Sequence, residues 1–229
     1  MEGIDRVDGL LLGVLGGLTD RKVTARSRLP GWTRGHVLAH IAGVGNAVAR
    51  QVENAVADRE PVDYYDGGRA GRDAAIEAAA ADTAAEHVER VRATIDRVSA
   101  ALSGLTPELM DRPTGHRNLP VRDLVITWWR EAGVHVTDLD LGVDHTVWDA
   151  AFREHLAEYL TARVPQDLQL ELLPTDVDER WTLGAGDLMT ARGAGNDLFA
   201  WLAGRKPLAP VVFDRSGVSV PPPELGPWP

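Results

Sequence analysis

The chain is most apolar, and poorest in polar residues, over Leu124-Val-Ile-Thr-Trp-Trp-Arg-Glu-Ala-Gly-Val-His-Val136. This stretch nevertheless contains a carboxylate, Glu131, and an imidazole, His135, four positions apart. Residues four apart lie on one face of a helix, and a charged group on a buried face needs a partner. The stretch therefore predicts a core helix that carries two polar groups into the protein interior.

A pair of histidines near the start of the chain, His36 and His40 in His-Val-Leu-Ala-His, has the same spacing. If the two segments are helices that face each other, imidazole and carboxylate groups converge inside a bundle, where they are suitable ligands for a divalent metal. Together the segments indicate a metal site in a helical core. A buried, hydrogen-bonded pair without a metal is the alternative interpretation of Glu131 and His135.

Composition and charge limit the class of protein. The 229 residues, 44% of them hydrophobic and 25% charged, are typical of a folded protein with one large domain or two small ones. A formal net charge of −10 without a Lys/Arg cluster argues against nucleic acid or an anionic membrane as a partner. The sequence has no apolar run of about 18 residues and no basic head of a secretory signal, so a cytoplasmic protein is expected.

The absence of cysteine restricts the chemistry further. It excludes disulfides and Cys-ligated zinc within the chain. A thiol nucleophile, if the reaction uses one, must come from a separate molecule.

The hydrophobic pattern divides the chain into two parts. Residues 1–165 have helical periodicity, and residues 166–229 contain alternating segments typical of strands. The predicted helices cover residues 7–18, 34–57 with Thr33 as N-cap, 73–103, 120–141 with Pro120 as the first helical residue, and 148–164. The predicted strands lie near 168–173, 180–184 and 187–192, followed by a short helix over 196–204 and a proline-rich, non-helical tail over 218–229. The fold class is therefore α+β: a helical domain followed by a small α+β domain.

Three segments carry a resemblance to a known family. They are Leu29-Pro-Gly-Trp-Thr-Arg-Gly-His-Val-Leu-Ala-His-Ile-Ala42, Arg130-Glu-Ala-Gly-Val-His-Val-Thr-Asp-Leu139 and Asp197-Leu-Phe-Ala-Trp-Leu-Ala-Gly-Arg205. With these segments the chain resembles the mycothiol-dependent maleylpyruvate isomerase family, which belongs to the DinB-like superfamily of thiol-using metalloenzymes. The resemblance implies a DinB-like four-helix bundle over 1–165 and a C-terminal domain over 166–229. The chain departs from the family in a shortened stretch before Arg205.

The resemblance also implies the site residues and the cofactors. The metal ligands of the family, which usually hold zinc, fall on His40, Glu131 and His135, and its functional arginine falls on Arg205. Mycothiol is the implied thiol. Its thiolate would add to the cis double bond of maleylpyruvate, the new single bond would rotate, and elimination would release fumarylpyruvate.

The residue types suit this chemistry. Two histidines and one glutamate leave a coordination position for water or a thiol, as in catalytic zinc sites. A zinc-bound thiol loses its proton near neutral pH, which would supply a nucleophile to a protein without cysteine. The two-pronged guanidinium of Arg205 would orient a carboxylate or stabilise the enolate-like intermediate.

Other functions remain compatible with the sequence. A mycothiol S-transferase would use the same metal and thiol on an electrophilic drug or biosynthetic intermediate. A non-catalytic DinB-like binding protein and a metallohydrolase are further alternatives, although no general base for the hydrolase is evident. Among the remaining histidines, His36 is interpreted as a capped residue of the first helical turn. Surface positions are expected for His87, His116, His145 and His155.

Overall fold

The computed structural model describes residues 2–229, which form two compact units. The first unit ends at Asp144, and the second comprises His145–Pro229. The α+β prediction, with a helical part followed by a small sheet-containing part, is confirmed.

Within residues 2–144, the first unit consists of helices joined by irregular segments, with two isolated bridges and no strand. Its helices are α1 (Glu2–Leu15), α2 (Asp20–Thr24), α3 (Arg34–Val56), α4 (Gly68–Ala79), α5 (Ala84–Ser103) and α6 (Val121–Asp138). The four longest helices, α1, α3, α5 and α6, pack against one another as a bundle. Their apolar faces form one core in which Leu38, Leu124 and Trp128 are fully buried.

Capping residues decide where two of these helices begin. Thr33 Oγ1 accepts a hydrogen bond from the His36 amide, and His36 Nδ1 accepts one from the Thr33 amide, so the predicted N-cap of α3 is confirmed. The predicted single helix over 73–103 is wrong, because Thr83 and Glu86 form the same reciprocal cap and start α5 anew after α4 has ended. Pro120 is the N-cap of α6 and not its first residue.

A glycine allows α3 to approach its neighbours closely. A Cβ atom at Gly45 would lie 2.8 Å from Trp128 Cζ3 on α6 and still closer to Thr94 Cγ2 on α5. Real Cβ contacts are not this short, so any side chain at position 45 would push one of the neighbouring helices away. The small residue therefore sets the distance between the helix that carries His40 and α6.

The second unit contains a sheet and two helices. Its elements are α7 (Ala150–Leu160), β1 (Leu168–Pro174), β2 (Trp181–Gly184), β3 (Asp187–Gly193), α8 (Gly195–Leu202), β4 (Val212–Arg215) and β5 (Val218–Val220). The strand order is β2-β1-β3-β4-β5, with β1 and β3 parallel and the other pairs antiparallel. Three strands agree with the prediction, whereas β4 and β5 were not predicted.

The division between the units lies earlier than the predicted boundary at 165/166. Helix α7, which the sequence pattern assigned to the helical domain, belongs to the second unit because it packs on α8. Helix α8 also packs on β1 and β3, and its Phe199 contacts Trp181 of β2 with 4.7 Å between the ring centroids.

Among residues 2–229, no helix combines the length and the apolar character needed to cross a bilayer.

Candidate metal centre

The contact between α3 and α6 brings three of the predicted site residues together. His40 lies in the second turn of α3, and Glu131 and His135 lie one turn apart on α6. The distance from His40 Nε2 to His135 Nε2 is 3.0 Å. Glu131 Oε2 lies 3.4 Å from His40 Nε2 and 3.5 Å from His135 Nε2. One ligand atom from each side chain therefore points to a common centre.

The spacing of these three atoms fits a small divalent ion. Bonds of about 2.0–2.1 Å in tetrahedral geometry place neighbouring ligand atoms about 3.3–3.4 Å apart. The three observed distances span 3.0 to 3.5 Å. Two imidazoles and one carboxylate are also a donor set that suits zinc and other first-row divalent metals. The residues thus pass both the geometric and the chemical test for a metal centre.

The three side chains are buried, and their charges depend on one another. Burial alone would raise the pKa of Glu131, but hydrogen bonds from His135 and His40 bring it well below its usual value. Burial and the proximity of His135 lower the pKa of His40 to about 4. Burial also acts to lower the pKa of His135, but Asp138 and Glu131 raise it above its ordinary value. An ionised carboxylate therefore faces two imidazoles, an arrangement that favours binding of a cation.

The second ring nitrogen, Nδ1, of each of these two histidines contacts one further side chain. Asp138 Oδ2 lies 2.9 Å from His135 Nδ1, and Asp138 has no exposed surface. Arg72 Nη2 lies 3.1 Å from His40 Nδ1. A carboxylate on the far nitrogen of a metal-binding imidazole is the usual device for fixing its tautomer and orientation. Asp138 can serve in this way, whereas Arg72 can only donate a hydrogen bond.

Sequence reasoning did not single out these two contacts. Asp138 follows His135 by three positions, so the helical repeat already placed it on the same face and could have identified it. Arg72 had no such signal, because it lies on α4 just before residue 73, where the predicted helix began.

Arg205, the fourth predicted site residue, lies in the second unit just after α8. Its Nη1 donates to the carbonyl of Ala203 at 2.6 Å, and its guanidinium lies 5.0 Å from the ring centroid of Trp228. The segment after Arg205 is held by buried Asp197, whose carboxylate accepts hydrogen bonds from the amides of Leu208 and Ala209. The role of Arg205 stays a prediction.

The remaining histidines partly contradict the sequence-based expectation. His36 is the capped first-turn residue that was predicted. His87 and His145 are buried, and not on the surface, because α5 turns His87 inward and His145 pairs with Asp197 at 2.7 Å. His116 and His155 are partly exposed.

The fold and the cluster define a class of protein: a four-helix bundle with a candidate His₂Glu metal centre, followed by a small α+β unit. The family model described as "Mycothiol maleylpyruvate isomerase N-terminal domain" matches residues 5–140, which is more than half of the chain. The chain therefore belongs to this family, and the resemblance drawn from its sequence is confirmed.

Two solved structures are similar to the chain over nearly its whole length. Both are crystal structures of the mycothiol-dependent maleylpyruvate isomerase, one of them a histidine-to-alanine mutant. Each has a TM-score of 0.83 at 18% sequence identity and covers 97% of this chain and 94% of its own. At this identity the similarity establishes the fold. No curated protein matches the sequence.

Proposed function

We propose that this protein is a metal-dependent isomerase that uses mycothiol to convert maleylpyruvate to fumarylpyruvate. The observation that carries the proposal is the convergence of His40 Nε2, His135 Nε2 and Glu131 Oε2 at distances suited to one ion. Three protein ligands leave a coordination position for an external group, which is the arrangement of catalytic rather than structural zinc. Membership of the mycothiol maleylpyruvate isomerase family supports the choice of thiol and reaction.

His40, Glu131 and His135 would hold the metal, for which zinc is the first candidate. When bound, zinc supplies the positive charge that keeps a thiol deprotonated near neutral pH. This accounts for a thiol-using enzyme whose own chain has no cysteine.

The protein's own residues would orient the reacting groups. Asp138 accepts a hydrogen bond from Nδ1–H of His135 and so keeps the Nε2 lone pair directed at the centre. The ionised Glu131 offsets the charge of the ion in a buried environment. Arg205 is proposed to bind a carboxylate of the dianionic substrate and to stabilise negative charge that develops as the thiolate adds to the double bond.

Zinc content and mycothiol-dependent turnover should be measured on the wild type, His135→Ala and Glu131→Gln. Both variants should lose metal and turnover together, because each removes one of only three protein ligands. Glu89→Gln, on the exposed face of α5, is the matched control and should keep both. Turnover that persists in a variant without metal would contradict the proposal.

The same assay separates the two thiol-dependent alternatives. An isomerase releases fumarylpyruvate and returns mycothiol unchanged, so a catalytic amount of thiol suffices. A mycothiol S-transferase consumes one thiol for each electrophile and leaves an adduct that mass spectrometry detects. Stoichiometric consumption of mycothiol, without formation of fumarylpyruvate, would replace the isomerase with the transferase.

A further inference from the structure

A cavity of about 280 Å³ adjoins the candidate metal centre within the first unit. It is lined by residues of α3, α4, the segment between these helices, and Arg97 of α5; Tyr64, Tyr65 and Arg72 are among them. Its volume is near the lower end of the range for small-molecule sites, about 300 Å³. Arg72 connects the cavity to the metal centre, because its Nη2 lies 3.1 Å from His40 Nδ1.

The contact between Arg72 and His40 is incompatible with metal binding through His40 Nε2. A guanidinium only donates hydrogen bonds, so His40 Nδ1 must accept and the proton of the neutral imidazole must lie on Nε2. Nε2 is the atom that faces Glu131 and His135, and a metal needs its lone pair. If Nε2 binds a metal, the proton moves to Nδ1, and two donors then face each other.

Arg72 must therefore exchange His40 for another acceptor when the metal binds. Its Nη1 lies 2.6 Å from Asp73 Oδ1, which can retain that half of the guanidinium. The Tyr65 ring lies 6.0 Å from the guanidinium carbon and limits where the side chain can go. The freed Nη2 belongs to a residue that lines the cavity, so the cavity gains a donor on a positively charged group that is no longer bound to His40.

A second observation indicates that this region can bind an external polar group. The Tyr64 hydroxyl is buried and has no hydrogen-bond partner among residues 2–229. Burial, Tyr65 and the Glu131 carboxylate raise the pKa of Tyr64 well above its ordinary value, against the guanidiniums of Arg130 and Arg72. The hydroxyl thus stays protonated and can donate a hydrogen bond. A buried donor without an acceptor is unfavourable unless a ligand or water accepts its hydrogen bond.

We infer that Arg72 is a carboxylate anchor, held by His40 in the metal-free protein and released into the cavity when the metal binds. It would recognise a carboxylate of an organic acid. This inference rests on the proposed metal site. A dicarboxylate substrate needs a cationic anchor, whereas a bulky, uncharged electrophile does not, so Arg72 favours an isomerase of a dicarboxylate over an S-transferase.

Arg72→Met tests the inference because it should change two affinities in opposite directions. Zinc affinity, measured by competition with a chromogenic chelator, should rise about two- to tenfold, since one competing hydrogen bond is lost. The affinity of the zinc-loaded protein for maleate, measured by calorimetry without thiol, should fall about tenfold or more, since a charged hydrogen bond is lost. Arg92→Met makes the same charge change at an exposed position of α5, and should leave both affinities unchanged.

The outcomes distinguish this inference from the proposed function. Loss of both affinities in Arg72→Met would assign the residue a merely structural role and overturn the inference. Unchanged affinities, or a zinc-loaded wild type that does not bind maleate, would overturn it as well while leaving the metal site intact. A wild type that binds no zinc would defeat the proposed function and this inference with it.

Discussion

At the scale of single residues, the candidate centre depends on which nitrogen of each imidazole carries a proton. Metal binding needs the Nε2 lone pair of both His40 and His135. Asp138 favours this state for His135, and Arg72 opposes it for His40. In the metal-free protein, the neighbours of the two histidines therefore favour different tautomers, although both side chains are required as ligands.

Asp138→Asn should weaken zinc binding by about 10- to 100-fold, because the amide holds the His135 tautomer less firmly than a carboxylate does. Zinc affinity is measured by chelator competition, and circular dichroism checks that the buried substitution leaves the fold intact. Asp96→Asn, at an exposed position of α5, serves as control. Wild-type zinc affinity in folded Asp138→Asn would remove Asp138 from the centre.

Asp8 should make stability depend on pH. Burial raises its pKa from 3.8 to about 7, against the hydrogen bond that Trp128 Nε1 donates to it at 3.1 Å. Because the folded-state pKa of this acid is raised, its ionisation destabilises the fold as pH rises from about 4 to 7, and the full penalty applies above pH 7.

Asp8→Asn should consequently raise the free energy of unfolding at pH 8, by at most about 4 kcal/mol, and change it little at pH 4. Urea unfolding at the two pH values measures the difference. Asp5→Asn, on an exposed position of the same helix, should give only a small gain. An equal effect of Asp8→Asn at both pH values would show that the pKa of the Asp8 carboxyl is not raised.

At the scale of elements, the approach of α3 to α5 and α6 determines whether the ligands converge. His40 and the pair Glu131/His135 come from separate helices, so their spacing depends on how closely these helices pack. Gly45 lies between them and permits the close approach.

Gly45→Ala should destabilise the protein by about 1–3 kcal/mol, even though alanine favours helix more than glycine does, because the added methyl group meets Trp128 and Thr94. It should also weaken zinc binding by separating α3 from α6. Gly43→Ala is the matched control, since a Cβ there meets no atom within 4 Å and should stabilise the helix slightly. Equal stability of the two variants would contradict this role of Gly45.

At the scale of the whole molecule, the candidate ligands and the family match both fall in the first unit. The second unit has its own buried residues around α8 and the sheet, and it carries Arg205. Metal binding should therefore stabilise the helical bundle directly.

Zinc should raise the unfolding temperature of the wild type, because an ion that binds only the folded state adds stability by mass action, about 2.7 kcal/mol at a concentration one hundred times its dissociation constant. Calorimetric scans with zinc and with a chelator measure this shift. His135→Ala should show no zinc-dependent shift. An equal shift in wild type and variant would locate the stabilising zinc elsewhere.

The local features of this protein follow from its amino-acid sequence alone. The helical repeat determined that Glu131 and His135 share one face, the cap at Thr33 started α3, and alternation marked β1, β2 and β3, because each signal lies within a few neighbouring residues. The quoted motifs added His40 through the family resemblance.

Which residues from distant parts of the chain come into contact depends on tertiary packing. The segment that carries Tyr64 is held on α3 by Arg50, whose Nη2 donates to the carbonyls of Asp63 and Tyr64. Packing of α4 on α3 then brings Arg72 to His40. No periodic pattern in the sequence predicts either contact, because both depend on the path of an irregular segment and on the packing of separate helices.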